Sequence, residues 1–255
     1  MLTGTLSVPV YSATDDSCSG PSALLAIVNR PNGADSVCVV PSQRAVLEMG
    51  WQYLQLVGTG YSYNLPEMQF RVSVPGQNEL SVFLPNYNSQ TIPLHSGVAA
   101  TTIGIKHQFT YSGSWVSAVE ALITAPSGSA ALGSPGWAGT FNGILAYSLT
   151  PAVELTFMLG VGSQVLPNLS GGQRYASVNP DFVVSWEPQE QYQFYGEVYG
   201  QSSTGPGTNP GFNMDIGILY LLTQNMEVDF SVGQRLIGQL DGFDHYLGVG
   251  MAVLF

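Results

Sequence analysis

Three histidines (His95, His107 and His245), two cysteines (Cys18 and Cys38) and a scatter of carboxylates are the side chains here with the chemistry of an active site or a metal centre. Nucleophilic hydrolysis needs a Ser held beside a His that a third polar group orients. His107 is the best placed of the three, yet it has no convincing Ser partner. Zinc needs paired ligands at short spacing, and neither the histidines nor the cysteines supply them. Gly160-Val161-Gly162 and Gly248-Val249-Gly250 lie within strand-like runs with no helix behind them, so they are not phosphate loops. The expectation is no catalytic residue, no metal and no cofactor. Cys18 and Cys38 fit a disulfide of an exported protein, closing a loop worth about 3 kcal/mol; two independent thiols are the alternative.

The carboxylates carry a clearer pattern. Glu79, Glu154 and Glu227 each stand just after a short turn. They share alternation parity with Asp229, Glu197, Asp215, Arg71, Lys106 and Arg235, and also with Glu48, Glu67, Glu120, Asp181, Glu187 and Arg44. On one face of a pore, such an acidic excess favours cations. In a closed, narrow interior, Glu79, Glu154 and Glu227 would instead pair with Arg71, Lys106 and Arg235. The same parity holds Phe83, Met158, Tyr175, Tyr195 and Tyr199, either a path for a small apolar ligand or interior packing.

Elements of period two must position these residues. Twelve alternating segments run at about 44–53, 61–74, 78–85, 97–109, 114–125, 138–148, 152–162, 174–187, 190–200, 212–221, 225–236 and 245–255. In Met226-Glu227-Val228-Asp229-Phe230-Ser231-Val232 the even positions are all apolar and the odd ones polar. Only 9% of the chain is charged, against roughly a quarter in an ordinary soluble domain, and no run reaches the roughly 18–20 apolar residues of a spanning helix. Charges confined to one parity with an apolar face opposite are the inside-out pattern of a membrane barrel. Short connections at 75–77, 110–113, 149–151, 188–189 and 223–224 alternate with long ones at 86–96, 126–137, 163–173, 201–211 and 237–244. The expected fold is all-β, a closed antiparallel transmembrane β-barrel of about 12 strands spanning 44–255, its termini on the short-turn, periplasmic side. Trp51, Tyr53, Trp115, Phe141, Tyr147, Trp186, Tyr192, Tyr220 and Phe255 suit interfacial girdles.

Residues 1–43 lack this period and form an N-terminal segment, either inserted in the lumen or loose in the periplasm. Met1 to Ala13 lacks the charged start and apolar core of a signal peptide, and Val10-Tyr11-Ser12-Ala13 fits a cleavage remnant. The net charge of −11 argues against nucleic acid as a partner; the expected partner is outer-membrane lipid.

The final strand, Tyr246 to Phe255, ends on an aromatic with Leu247, Val249, Met251 and Val253 on its face. It resembles the C-terminal signal of bacterial outer-membrane proteins, which implies recognition by the barrel-assembly machinery through Phe255 and Val253. Asn29-Arg30-Pro31-Asn32-Gly33, Val39-Val40-Pro41 and Leu47-Glu48-Met49-Gly50, with Ile103-Gly104-Ile105-Lys106-His107, Tyr147-Ser148-Leu149-Thr150-Pro151 and Tyr220-Leu221-Leu222-Thr223-Gln224, resemble the family of phenol-degradation meta-pathway outer-membrane proteins. Asn29 stands where that family often has Asp, and the two cysteines are not a general feature of it. The resemblance implies a bacterial outer-membrane channel or transporter for small hydrophobic or aromatic molecules, without chemistry. The alternative is a plugged structural or surface-recognition barrel acting through loops 86–96, 126–137 and 163–173.

Overall fold

The computed structural model describes residues 18–92, 94–109 and 114–255; the expected leader remnant at 10–13 and the turn at 110–113 lie outside the described residues. One antiparallel sheet of fifteen strands runs through the chain. In order these are β1 (Ala45–Leu56), β2 (Tyr61–Leu65), β3 (Gln69–Val74), β4 (Asn78–Phe83), β5 (Tyr87–Gln90), β6 (His95–Val98), β7 (Thr102–Gln108) and β8 (Trp115–Thr124), then β9 (Ala138–Thr150), β10 (Val153–Val165), β11 (Arg174–Gln189), β12 (Tyr192–Gln201), β13 (Gly211–Thr223), β14 (Met226–Ile237) and β15 (Phe243–Leu254). β15 returns to pair with β1 from Val46↔Leu254 to Leu56↔Phe243, and the sheet closes. Closure leaves no edge, the condition for strands in lipid, where an unpaired backbone N–H costs several kcal/mol.

The fifteen strands make twelve staves. β2 and β3 both pair with β1 and are two halves of one stave. β4 with β5, and β6 with β7, are likewise split. The three breaks, at 66–68, 84–86 and 99–101, lie side by side, because Leu65, Tyr87 and Val98 form one row above them and Gln69, Phe83 and Thr102 one row below. Pro66 and Pro85 sit in two of the breaks, and a proline has no N–H to give a ladder. The expected loop at 86–96 is therefore wrong: β5 and β6 continue the wall there, and among the described residues between them 91, 92 and 94 turn. The alternation of long and short connections holds from β8 onward but not before it, since 57–60 is also a tight turn.

The outside is apolar, with Ile103, Ile105, Leu159, Val161 and Ile216 all more than half exposed or nearly so. Aromatic pairs Trp115–Tyr147, Trp186–Phe194 and Tyr192–Tyr220 gather at the short-turn end. Trp51, Tyr53, Tyr61 and Tyr63 cluster toward the other end, giving the two belts of an interfacial girdle.

The inside is not uniformly polar. Near the short turns it carries Val46, Val116, Ala118, Ile144, Ala146, Leu219, Leu221, Ala252 and Leu254, all buried. A single helical turn, α1 (Ala23–Ile27), packs Leu24, Leu25 and Ile27 into that patch. It packs mainly against β13 and β14. The barrel's hydrophobic core is thus made between its wall and the described part of the N-terminal segment.

Candidate functional site: an occupied lumen and a groove in the wall

Beyond α1 the segment has no regular structure, so its backbone donors need partners wherever it is buried. Inward-facing side chains supply them. Glu48 Oε2 accepts hydrogen bonds from the Asn29 and Arg30 amides at 2.9 and 2.8 Å. Glu79 Oε2 accepts from Val40 N at 2.9 Å, and Gln108 Oε1 from Val39 N at 3.0 Å. Glu197 takes the Gly33 and Ala34 amides, both at 2.8 Å. In the other direction Arg71 donates to the carbonyls of Ile27 and Cys38, and Lys106 Nζ to the carbonyl of Ser36 at 2.9 Å. The wall's carboxylates and bases act as the ladder this segment lacks.

The bases also hold the carboxylates. Arg71, fully buried, donates to Glu79 through Nε at 2.7 Å and Nη2 at 2.9 Å, and to Glu48 through Nη1 at 2.8 Å. Lys106 Nζ lies 3.9 Å from Glu79 and 3.8 Å from Glu120, whose Oε2 accepts from Asn142. Arg235 does not join this network. It pairs with Asp244 near the far end of β14, away from Glu227. Of the expected network of Glu79, Glu154 and Glu227 with Arg71, Lys106 and Arg235, the structure brings together Glu79, Arg71 and Lys106 and leaves Arg235 outside it. Glu154 sits at the start of β10, half-buried.

Arg30 belongs to the network although its sequence context gave no charge role to it. Its guanidinium bonds Glu67, reaches Asp229 at 3.4 Å and lies on the backbone of Gly50 and Gly250. These glycines face each other across the β1–β15 seam, and a Cβ on either would fall within 2.5 Å of the guanidinium. Cys18 and Cys38 form a disulfide across the segment. Reducing it in the folded protein is expected to lower stability by about 3 kcal/mol, read from urea unfolding in lipid vesicles with and without reductant. An unchanged midpoint would show that the wall alone holds the segment.

Asp181, Glu197 and Asp215 lie on three adjacent strands, Glu197 facing Asp215 in register and Asp181 facing Tyr199 one pair along. Tyr246 Oη donates to Asp215 Oδ2. Asp181 and Asp215 each contact Glu197, and the Tyr195 hydroxyl lies against Asp215 and Ser231, so the row is a buried side-chain cluster.

Asp181 also borders a second irregularity of the wall. The β11–β12 register ends at Asp181↔Tyr199. Val178 resumes pairing through Ser202, with both its N–H and its carbonyl turned to that side. Two residues on, Pro180 must face the same way, and it has no N–H to offer. Here a groove of about 580 Å³ opens, walled by Leu145, Phe157, Leu159, Phe182, Val198 and Phe212 from the lipid face, with Met158 and Asp181 from the inward face. An added Cβ at Gly143, another lining residue, would meet nothing within 4 Å.

The five residues expected to form one ligand path do not line one cavity. Met158 lines the groove. Tyr175, bonded to Gln164, lines a second cavity of about 400 Å³ near the long-loop end. Tyr195 and Tyr199 stand at the acidic row, and Phe83 lies elsewhere on β4. Inward parity says only that side chains share a face, not that they share a height. His107 is bonded to Asn78 at the short-turn end of β7, edge-on to Phe109.

A family model described as "Putative MetA-pathway of phenol degradation" matches residues 29–239. The chain belongs to this family. Its matched stretch contains the luminal segment from Asn29 onward and most of the barrel, including Arg30, Glu48, Arg71 and the acidic row. No curated protein matches the chain in sequence. Among solved structures, the COG4313 outer membrane channel from Pseudomonas putida F1 matches with a TM-score of 0.70 at 12% identity, over 88% of this chain and 100% of that one. The KdgM porin matches at 0.57 and 10% identity, over 82% and 99%, and the NanC porin at 0.56 and 10%, over 82% and 98%. This family member is a closed barrel of the bacterial outer membrane, and its fold is shared with outer-membrane channels and porins.

Proposed function

We propose that this outer-membrane barrel passes small apolar molecules, without chemistry, and that they reach it through the groove at Pro180 rather than along an open aqueous axis. The observation that carries this reading is the apolar groove cut into the wall at a missing ladder hydrogen bond, with inward-facing Met158 and Asp181 among its lining residues. A lumen occupied by the segment from α1 to Val40 favours an apolar solute over a hydrated one, because hydrated solutes need a continuous wet path. The segment's attachment through single wall side chains supports a gating role for it. The same occupancy favours the second reading, a plugged barrel that works through its surface loops.

Uptake of the apolar fluorophore N-phenyl-1-naphthylamine into vesicles with a lipopolysaccharide outer leaflet distinguishes the two. The protein is expected to raise the uptake rate, and Leu159→Trp, which fills the groove from an exposed position, to return it to the protein-free rate. A protein that leaves uptake unchanged supports the plugged reading. Uptake that persists in Leu159→Trp removes the groove from the route.

A further inference from the structure

We infer that Arg174, on the lipid-facing rim at the long-loop end, seats a phosphate of the outer-leaflet lipid. This seat is separate from the groove at Pro180 and stands whether or not solutes pass there.

Its position follows from the register. Arg174 opens β11 and pairs with Val165, the last residue of β10. It therefore lies where long loops join the strands, the extracellular end of such barrels. Along β11, Arg174, Ala176 and Val178 are exposed while Ser177 is buried, which puts the guanidinium on the face that meets lipid. Trp137, 62% exposed, stands beside it. Below, Phe141, Val161 and Val178 face one another across β9, β10 and β11, all exposed. A cation at the rim above an apolar column is complementary to an anionic head group with acyl chains beneath it.

The charge at this rim is uncompensated. Arg30, Arg71, Lys106 and Arg235 all have carboxylate partners, and Arg44 is bonded to Phe255 and Asn225 at the short-turn end. Among the described residues the partners of Arg174 are neutral: Nη1 donates to Ser163 Oγ at 2.8 Å and Nη2 to the Trp137 carbonyl at 2.5 Å. The two loops it joins, 126–137 and 163–173, contain no Asp, Glu, Lys or Arg. Its two bonds fix the plane of the guanidinium and leave Nε–H and one N–H on each Nη to donate. The Leu169 amide, bonded to the Ala130 carbonyl, ties the same loops together, so the seat is built before a lipid arrives. An arginine fork matches phosphate geometry. A tryptophan at that height sits at head-group level, which favours a phosphate carrying acyl chains over a free one.

Native mass spectrometry of the full chain in a neutral detergent tests this. The probes are lipid A carrying two phosphates and the same lipid stripped of phosphate, at equal concentration. The unaltered protein is expected to retain the phosphorylated lipid about fivefold better, the effect of one base at a membrane surface. Arg174→Gln is expected to remove the preference, and Arg174→Lys, which keeps the charge, to keep most of it. Equal retention of the two lipids by the unaltered protein overturns the inference without need of any variant. So does a preference that survives in Arg174→Gln. A preference lost equally in Arg174→Lys traces it to the loop bonds and not to the charge, and also overturns it. Displacement of the lipid by an equal concentration of inorganic phosphate makes the seat one for free anions and rejects the lipid.

Discussion

Replacing Arg71 by Met is expected to lower the stability of the folded barrel by about 3–5 kcal/mol, the usual consequence of removing one partner from a buried ion pair. The size follows from what Arg71 touches. It is fully buried, joins Glu48 to Glu79, and donates to the carbonyls of Ile27 and Cys38. Without it two carboxylates remain charged in a dry interior, and both ends of the α1 segment lose a bond. Urea unfolding in lipid vesicles measures the change. Combining Arg71→Met with Glu48→Gln and Glu79→Gln is expected to recover much of the loss. The glutamines keep oxygens for the Asn29, Arg30 and Val40 amides while removing the stranded charge. A single variant within about 0.5 kcal/mol of the parent would mean that the network is not what holds the interior.

The second large effect is expected at the seam, in conductance rather than stability. Gly50→Val places a Cβ 2.3 Å from Arg30 Cζ, so the guanidinium must leave. What moves is the far end of a long side chain, and Val suits a strand, so the barrel survives the change. Arg30 then loses Glu67 and Asp229, and the segment loses its tie to β14 and to the β2–β3 break. Planar-bilayer recordings are expected to show higher ion conductance than the parent, with the same increase in Arg30→Gln. The heat-modifiable gel band of a folded barrel should persist in both. Unchanged conductance in both variants would separate Arg30 from closure of the lumen.

Much of this was legible in the sequence because strand parity is local. Glu227, Val228 and Asp229 declare opposite faces within three residues, and a charge-poor outer parity says which face meets lipid. What decided the interior was not local. The Arg30 contact with Asp229 and the Gly33 contact with Glu197 join residues separated by 199 and 164 positions. The inward patch around Val46, Leu219 and Leu221 broke the rule that inward means polar, because α1 and not water covers it. Likewise the apparent loop at 86–96 was misread from its Pro, Asn and Ser content. Asn88, Ser89 and Ser96 are instead strand residues of β5 and β6, beyond a break in three neighbouring staves that shows only once their registers are aligned. Pro180, in the middle of a long strand, was the signal for the groove.

The Arg30 seat has a consequence for the order of assembly. It is built from Gly50 and Gly250, residues from the first and last strands that meet only when β15 joins β1. The luminal segment precedes β1 in the chain and is attached to β1, β3, β4 and β7 through Glu48, Arg71, Glu79 and Lys106, early strands all. Later strands hold it too, through Glu197 on β12 and Asp229 on β14. The Arg30 seat is therefore complete only in the closed barrel, so closure of the seam and anchoring of the segment at Arg30 are one event.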